Sequence, residues 1–185
     1  MLVFLLAVFA LPVVIGLVLY HTEWRPGGES YGELLQPPRR LDIPTLQTLQ
    51  GQPFDMQDWH AKWHLVYVSA AGCDTGCRNN LYMMRQIHAS LAKEIERLER
   101  VWIVDGALSS EEGNPLQAQY PDLVILPAAG KMASQFNLPG RPATPDGRIY
   151  LVDPLGNLMM SYPSGADPKG MRKDLTRLLK YSWTG

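Results

Sequence analysis

The chain has 185 residues and a formal charge of −1 from 17 basic and 18 acidic side chains, neither sign forming a block, which excludes the basic face that nucleic-acid binding requires. Hydrophobic residues make up 46%, enough for one domain with a sizeable core. A closed structural zinc site needs four ligands, and with two cysteines in the chain no second cysteine pair exists to supply them.

Met1 to Tyr20 contains no charged residue, with Pro12 and Gly16 as weak helix breakers. At about 1.5 Å per residue a helix here crosses a hydrocarbon core of about 30 Å. Tyr20, His21 and Trp24 supply amphipathic rings for the interface. No Lys or Arg precedes the run and no Ala-x-Ala-like site ends it, so residues 1–20 read as an uncleaved transmembrane anchor rather than a signal peptide. Arg25, Arg39 and Arg40 argue for a cytoplasmic domain by the positive-inside rule. Large domains translocate largely regardless of nearby charge, and cysteine redox or copper chemistry suits the outer face of a bacterial inner membrane. The expected placement is therefore single-pass, with the domain in the periplasm.

Residues 21–40 hold Pro26, Gly27, Gly28, Gly32, Pro37 and Pro38 and read as a linker. Within it, Tyr31-Gly32-Glu33-Leu34-Leu35 either docks or stays solvated. Residues 41–185 form the domain. Gln52 to Met56 reads as a short edge strand with Pro53 at its beginning. His64 to Ala70 is a β-branched, aromatic run expected to be a buried strand. Cys77, Leu81, Met84, His88, Leu91, Ile95 and Leu98 then recur at steps of four and three, one face of a helix running to about Leu98. Arg100 to Asp105 is the next strand, completing a parallel crossover. Leu123 to Leu126 is a further strand, and Lys131 to Leu138 a short helix ended by Pro139-Gly140. Arg148–Asp153 and Leu158–Tyr162 flank Pro154-Leu155-Gly156-Asn157 as a hairpin, and Asp167-Pro168 caps a closing helix. Strand, helix, strand, hairpin, helix is an α/β arrangement of thioredoxin-like fold.

The chemistry gathers at Gly72-Cys73-Asp74-Thr75-Gly76-Cys77. Cys73 falls in the loop after a strand and Cys77 in the first turn of a helix, where unpaired N–H groups and the helix dipole favour a thiolate. Two cysteines four apart either close a small disulfide or turn both sulfurs on one soft ion such as Cu(I). A passive staple is the alternative without chemistry. Met83, Met84, Met159 and Met160 offer thioethers but read first as core filling. Trp59, Trp63 and Tyr67 offer a partner surface or, more commonly for such residues, core.

The anchor, Gly51-Gln52-Pro53-Phe54, Cys73-x-x-x-Cys77 and Ile149-Tyr150-Leu151-Val152-Asp153-Pro154-x-Gly156 together resemble the Sco/SenC family of thioredoxin-like proteins. The likeness covers most of residues 41–183, and the Tyr31–Leu35 stretch is similar to the linker of small Sco-related proteins encoded beside oxidase subunits. The resemblance implies a role in building the copper centre of cytochrome c oxidase, with an oxidase subunit or another copper-assembly protein as partner. It also implies a metal site of two thiolates and a histidine five residues before the tyrosine of the late strand. Here that position is Pro145. No other histidine replaces it: His88 lies about 16 Å along the helix from Cys77, His60 and His64 lie at the far end of the preceding strand, and His21 belongs to the membrane edge.

Three functions follow as expectations. In the first, the chain is a thiol-disulfide oxidoreductase of Sco type, attacking through Cys73 and resolving through Cys77. In the second, the same two cysteines carry Cu(I). In the third, the domain is a non-catalytic scaffold for an oxidase subunit or assembly factor.

Overall fold

The structure is a computed structural model that describes residues 1–21, 30–127 and 129–182, with the side chains of Leu2, Val3, Leu5, Leu6, Ala7, Ala61, Pro145 and Asp146 outside the description. Leu2–His21 (α1) is one 20-residue helix with no acidic or basic side chain before His21. Among the described residues no helix is long and apolar enough to cross a membrane; five of the apolar side chains of α1 lie outside those residues. The interfacial Trp24 and the flanking Arg25 of the sequence reading also lie outside the described residues.

The domain is built on a six-stranded sheet in the order Glu33–Arg40 (β1), Asn157–Tyr162 (β8), Ile149–Val152 (β7), Trp63–Ala70 (β4), Leu98–Asp105 (β5) and Leu123–Leu126 (β6). Strands β4, β5 and β6 run parallel, joined by Thr75–Ala89 (α3) and Ser110–Gln119 (α4). Strand β7 pairs antiparallel with β4, and β8 with β7, as the hairpin reading requires. Pro168–Tyr181 (α7) closes the fold, capped by the Asp167 carboxylate on the Lys169 N–H.

Strand alternation splits the core between the two sheet faces. Leu65, Tyr67, Trp102, Val104, Leu151, Met160 and Tyr162 pack against α3 and α7 on one side. Val66, Val68, Val101, Ile103, Tyr150 and Val152 pack with Trp59 and Phe136 on the other. Period-two burial on two covered faces is what makes β4 and β5 read as continuous apolar runs. Trp59, Trp63 and Tyr67 are buried and form core rather than an exposed aromatic surface.

The linker reading of residues 21–40 differs from the structure. Glu33–Arg40 (β1) pairs with β8 at the sheet edge, Glu33 opposite Ser161 and Arg40 opposite Asn157. Pro37 and Pro38 hide the strand in the sequence, and the register shift between Leu34 and Arg39 accommodates them at an edge. The sheet therefore begins before residue 41.

The cysteine helix also ends earlier than its apolar stripe suggests. α3 stops at Ala89, Ala92 takes a positive φ of 51°, and Ala92–Arg97 is a 3-10 turn that delivers the chain into β5 at Leu98. The expected Gln52–Met56 strand is Pro53–Phe54 (β3), which pairs with Leu46–Gln47 (β2). Directly after it, Asp55 and Asp58 cap Met56–Ala61 (α2) in a reciprocal box. Gly130–Ala133 (α5) and a 3-10 turn at Ser134–Phe136 fill the expected short helix, and Ala143–Asp146 (α6) is one further turn.

Candidate functional site

β4 leaves the sheet at Ala70 and the chain reaches Cys73 through Gly72, whose φ of +82° suits a residue without a side chain. Cys77 lies in the first turn of α3 and Cys73 just before its cap, as the sequence predicts. The two form a disulfide with Cα atoms 5.2 Å apart. Cys77 is 2% exposed and packs in the core, whereas Cys73 is half-buried at the surface.

The pair borders an open cleft of about 390 Å³, lined also by Tyr67, Ser69, Asp74 and Gly147. Its walls come from the end of β4, the loop that carries Cys73 and Asp74, and Gly147 before β7, so a partner has an open approach to the disulfide.

Asp74 was not singled out in the sequence, and it changes the electrostatics expected there. Its carboxylate accepts the Cys77 N–H at 2.8 Å as the N-cap of α3. The helix-end donor nearest the sulfurs is thus already taken, by an anion. The residue pattern Asp74-x-x-Cys77 at a helix start was the available signal. Arg78 reaches back with Nε 3.4 Å from the Cys73 carbonyl.

Tyr67 lines the cleft, and Asn80 of α3 hydrogen-bonds to it from behind. Burial pushes the Tyr67 phenol above its ordinary value, the Asp74 charge adds to this, and a hydrogen bond with Asn80 opposes it. The phenol therefore remains neutral and brings no charge to the cleft. Asn80 Nδ2 donates to the Gly147 carbonyl at 3.2 Å, tying α3 to the turn before β7.

The other candidate ligands are elsewhere. His88 is half-buried, with Nδ1 3.3 Å from Asp122 and Nε2 2.8 Å from the Leu98 carbonyl. His64 is buried at the opposite end of β4, its Nε2 3.3 Å from Glu99. His60 lies there too, near Gly156. Met84 and Met160 are buried in the core, and Met83 and Met159 pack against it. Among the described residues no three His, Cys, Asp or Glu side chains gather as a metal cluster. Pro145, standing where the Sco pattern has histidine, falls within α6. Once reduced, Cys73 and Cys77 would offer two thiolates, a donor set that suits two-coordinate Cu(I) and lacks the imidazole that a tetragonal Cu(II) site would use.

Known proteins agree with this architecture. A family model described as a transmembrane-like, thioredoxin-like, C-terminal domain matches residues 63–182, more than half of the chain. A Stutzerimonas stutzeri protein named "Putative copper-binding protein" is 27% identical over 139 residues, covering 70% of this chain and 68% of its own. The structure of yeast Sco1 with copper bound superimposes with a TM-score of 0.62 at 18% identity, over 78% of this chain and 91% of that one. BsSco, described as a Sco-family cytochrome c oxidase assembly protein with a disulfide switch, gives a TM-score of 0.60 at 14% identity, over 79% and 96%. The likeness to Sco structures read from the sequence is present in the fold.

Proposed function

We propose a function from one premise: the chain belongs to the transmembrane-like, thioredoxin-like C-terminal domain family. It is a membrane-tethered factor of Sco type that assists copper-site assembly in cytochrome c oxidase by thiol-disulfide exchange through Cys73 and Cys77. The observation that carries this reading is the Cys73–Cys77 disulfide at the rim of an open cleft, with one sulfur near solvent and one in the core. A staple closing so short a loop gains little chain entropy, and it would need no cleft.

In the reduced state the Cys73 thiolate attacks a disulfide on the partner. A Cys73–partner disulfide forms, the partner's S–S bond breaks, and its second sulfur leaves as a thiolate that takes a proton from water. Cys77, deprotonated, then attacks the Cys73 sulfur. The intramolecular disulfide closes and the partner departs as a dithiol, two electrons richer and able to receive copper. A dithiol donor in the same compartment returns the two electrons. Cys77 sits on the core side of Cys73 and cannot easily be reached by a bulky partner, which is the division of labour that attack and resolution require.

α1 supplies the tether. Its 20 residues match a hydrocarbon core of about 30 Å, and its described side chains Phe4, Phe9, Val13 and Leu17 are exposed rather than packed on the domain. The domain is placed in the periplasm, where disulfide chemistry persists.

The second reading is Cu(I) carriage by the same two sulfurs, with copper as cargo. The copper-binding names of the relatives favour it, and the two-sulfur donor set permits it. Trapping separates the roles. With each variant reduced and the partner's disulfide intact, Cys77→Ser should accumulate a mixed disulfide and Cys73→Ser should not. Equal accumulation overturns the assignment. A chain that traps nothing yet holds one Cu(I) per molecule after purification favours the carrier.

A further inference from the structure

Building on the tethered thiol-exchange reading, we infer that the cysteine cleft faces the lipid, and that its partner is a protein holding its cysteines at the membrane surface. The strand registers place the cleft and the chain's point of entry at the same end of the sheet. Tyr67, near the end of β4, is opposite Ile149, and Ile149 is opposite Tyr162. Glu33, where β1 begins, is opposite Ser161. The chain arriving from α1 thus joins the domain beside the handover from β4 to the cysteines. Three strand spacings separate β1 from β4, about 14 Å at about 4.8 Å each.

That entry point is fixed to the domain. The two oxygens of Asp174 on α7 accept the N–H groups of Tyr31 at 3.1 Å and Gly32 at 2.8 Å. The Tyr31 hydroxyl accepts the Asp167 N–H at 2.6 Å, and its ring stacks at 6.5 Å on Tyr162. Glycine is required on both sides of this contact: a Cβ on Gly170 would come within 2.4 Å of the Tyr31 ring, and one on Gly32 within 2.5 Å of Tyr162. Glu33 is held by Arg148, next in sequence to the cleft residue Gly147.

Only residues 22–29 then separate the end of α1 from Ser30. At full extension that span reaches about 30 Å. β4 is eight residues long, about 26 Å. Turning the opposite end of the sheet toward lipid would require the tether to run that length before meeting the membrane, leaving almost nothing in reserve. With the cleft toward lipid the tether is comfortably long, and the disulfide stays within a few tens of ångströms of the headgroups.

Energy transfer in vesicles tests this with the full chain in phosphatidylcholine and phosphatidylglycerol. One variant, Cys77→Ser, carries a donor fluorophore on Cys73. The other, Cys73→Ser with Cys77→Ser and Leu155→Cys, carries it on the exposed turn at the opposite sheet end. Circular dichroism checks that both fold, and acceptors sit on lipid headgroups. A separation of about 26 Å predicts about twofold or greater transfer from the Cys73 label; equal or weaker transfer overturns the inference. In a second arm, a dithiol peptide linked closely to lipid should reduce the wild-type disulfide about tenfold faster than the same peptide on a stalk longer than the tether's reach, through effective concentration. Equal rates overturn the partner assignment. Flotation with vesicles and reduction by a soluble dithiol report the underlying reading separately. If either fails, that reading falls and takes this inference with it. If both hold and the labels do not differ, this inference alone is wrong.

Discussion

The Asp74 carboxylate holds the Cys77 N–H at 2.8 Å, so one side chain both starts α3 and sets the charge beside the sulfurs. Asp74→Ala removes the cap and should cost about 1 kcal/mol, read as a lower denaturation midpoint. Asp74→Asn keeps a capping oxygen but removes the charge. In the reduced protein it should therefore raise thiol reactivity near neutral pH, with little loss of stability, as measured by alkylation rate against pH. An unchanged profile would show that the carboxylate does not set thiol acidity. At Glu33, the hydrogen bond and charge of Arg148 hold the carboxyl below its ordinary value of 4.5, against the opposing effect of burial. A group depressed on folding stabilises above its unfolded value, and that contribution is lost as pH falls through the folded one. Acid titration of the midpoint should thus show a decline below about pH 4.5 that is smaller in Glu33→Gln. An identical decline in both proteins would remove Glu33 from the account.

Among the elements, β1 and its attachment to α7 depart most from the sequence reading. Pro37 and Pro38 are poor strand residues by propensity, and only pairing with β8 at an edge makes a strand of them. No local pattern announces that pairing, because Asp174, which fixes the start of β1, lies 142 positions beyond Gly32. Asp174→Ala leaves two backbone N–H groups without their acceptor. It should cost about 1–3 kcal/mol and make the segment ahead of β1 more easily cut by protease. A cleavage pattern unchanged from wild type would contradict this. α4 is hidden for a different reason: Gly113 and Pro115 interrupt its helical pattern, while its start signal, the Ser109 hydroxyl on the Glu112 N–H, lies in two residues that look like loop. The strands β4, β5, β7 and β8 were legible because apolar runs buried on both faces need no distant partner to be recognised.

At the scale of the whole molecule, the order of β4, α3, β5, β6, β7, β8 and α7 was readable and so was the cysteine loop, since these follow from local periodicity. The cleft was not, because Tyr67, Asn80 and Gly147 meet only when β4, α3 and the turn before β7 converge. The disulfide and the chain's entry into the sheet at Glu33 lie at the same end of that sheet. The central claim is that the two cysteines perform the chemistry, rather than stapling a scaffold. The most direct measurement is the copper content of cytochrome c oxidase purified from cells carrying Cys73→Ala with Cys77→Ala, beside wild type and a deletion of the whole chain. The account predicts copper as low in the double variant as in the deletion, with the variant protein present at normal abundance. Wild-type copper in the double variant, with copper lost only in the deletion, would contradict it.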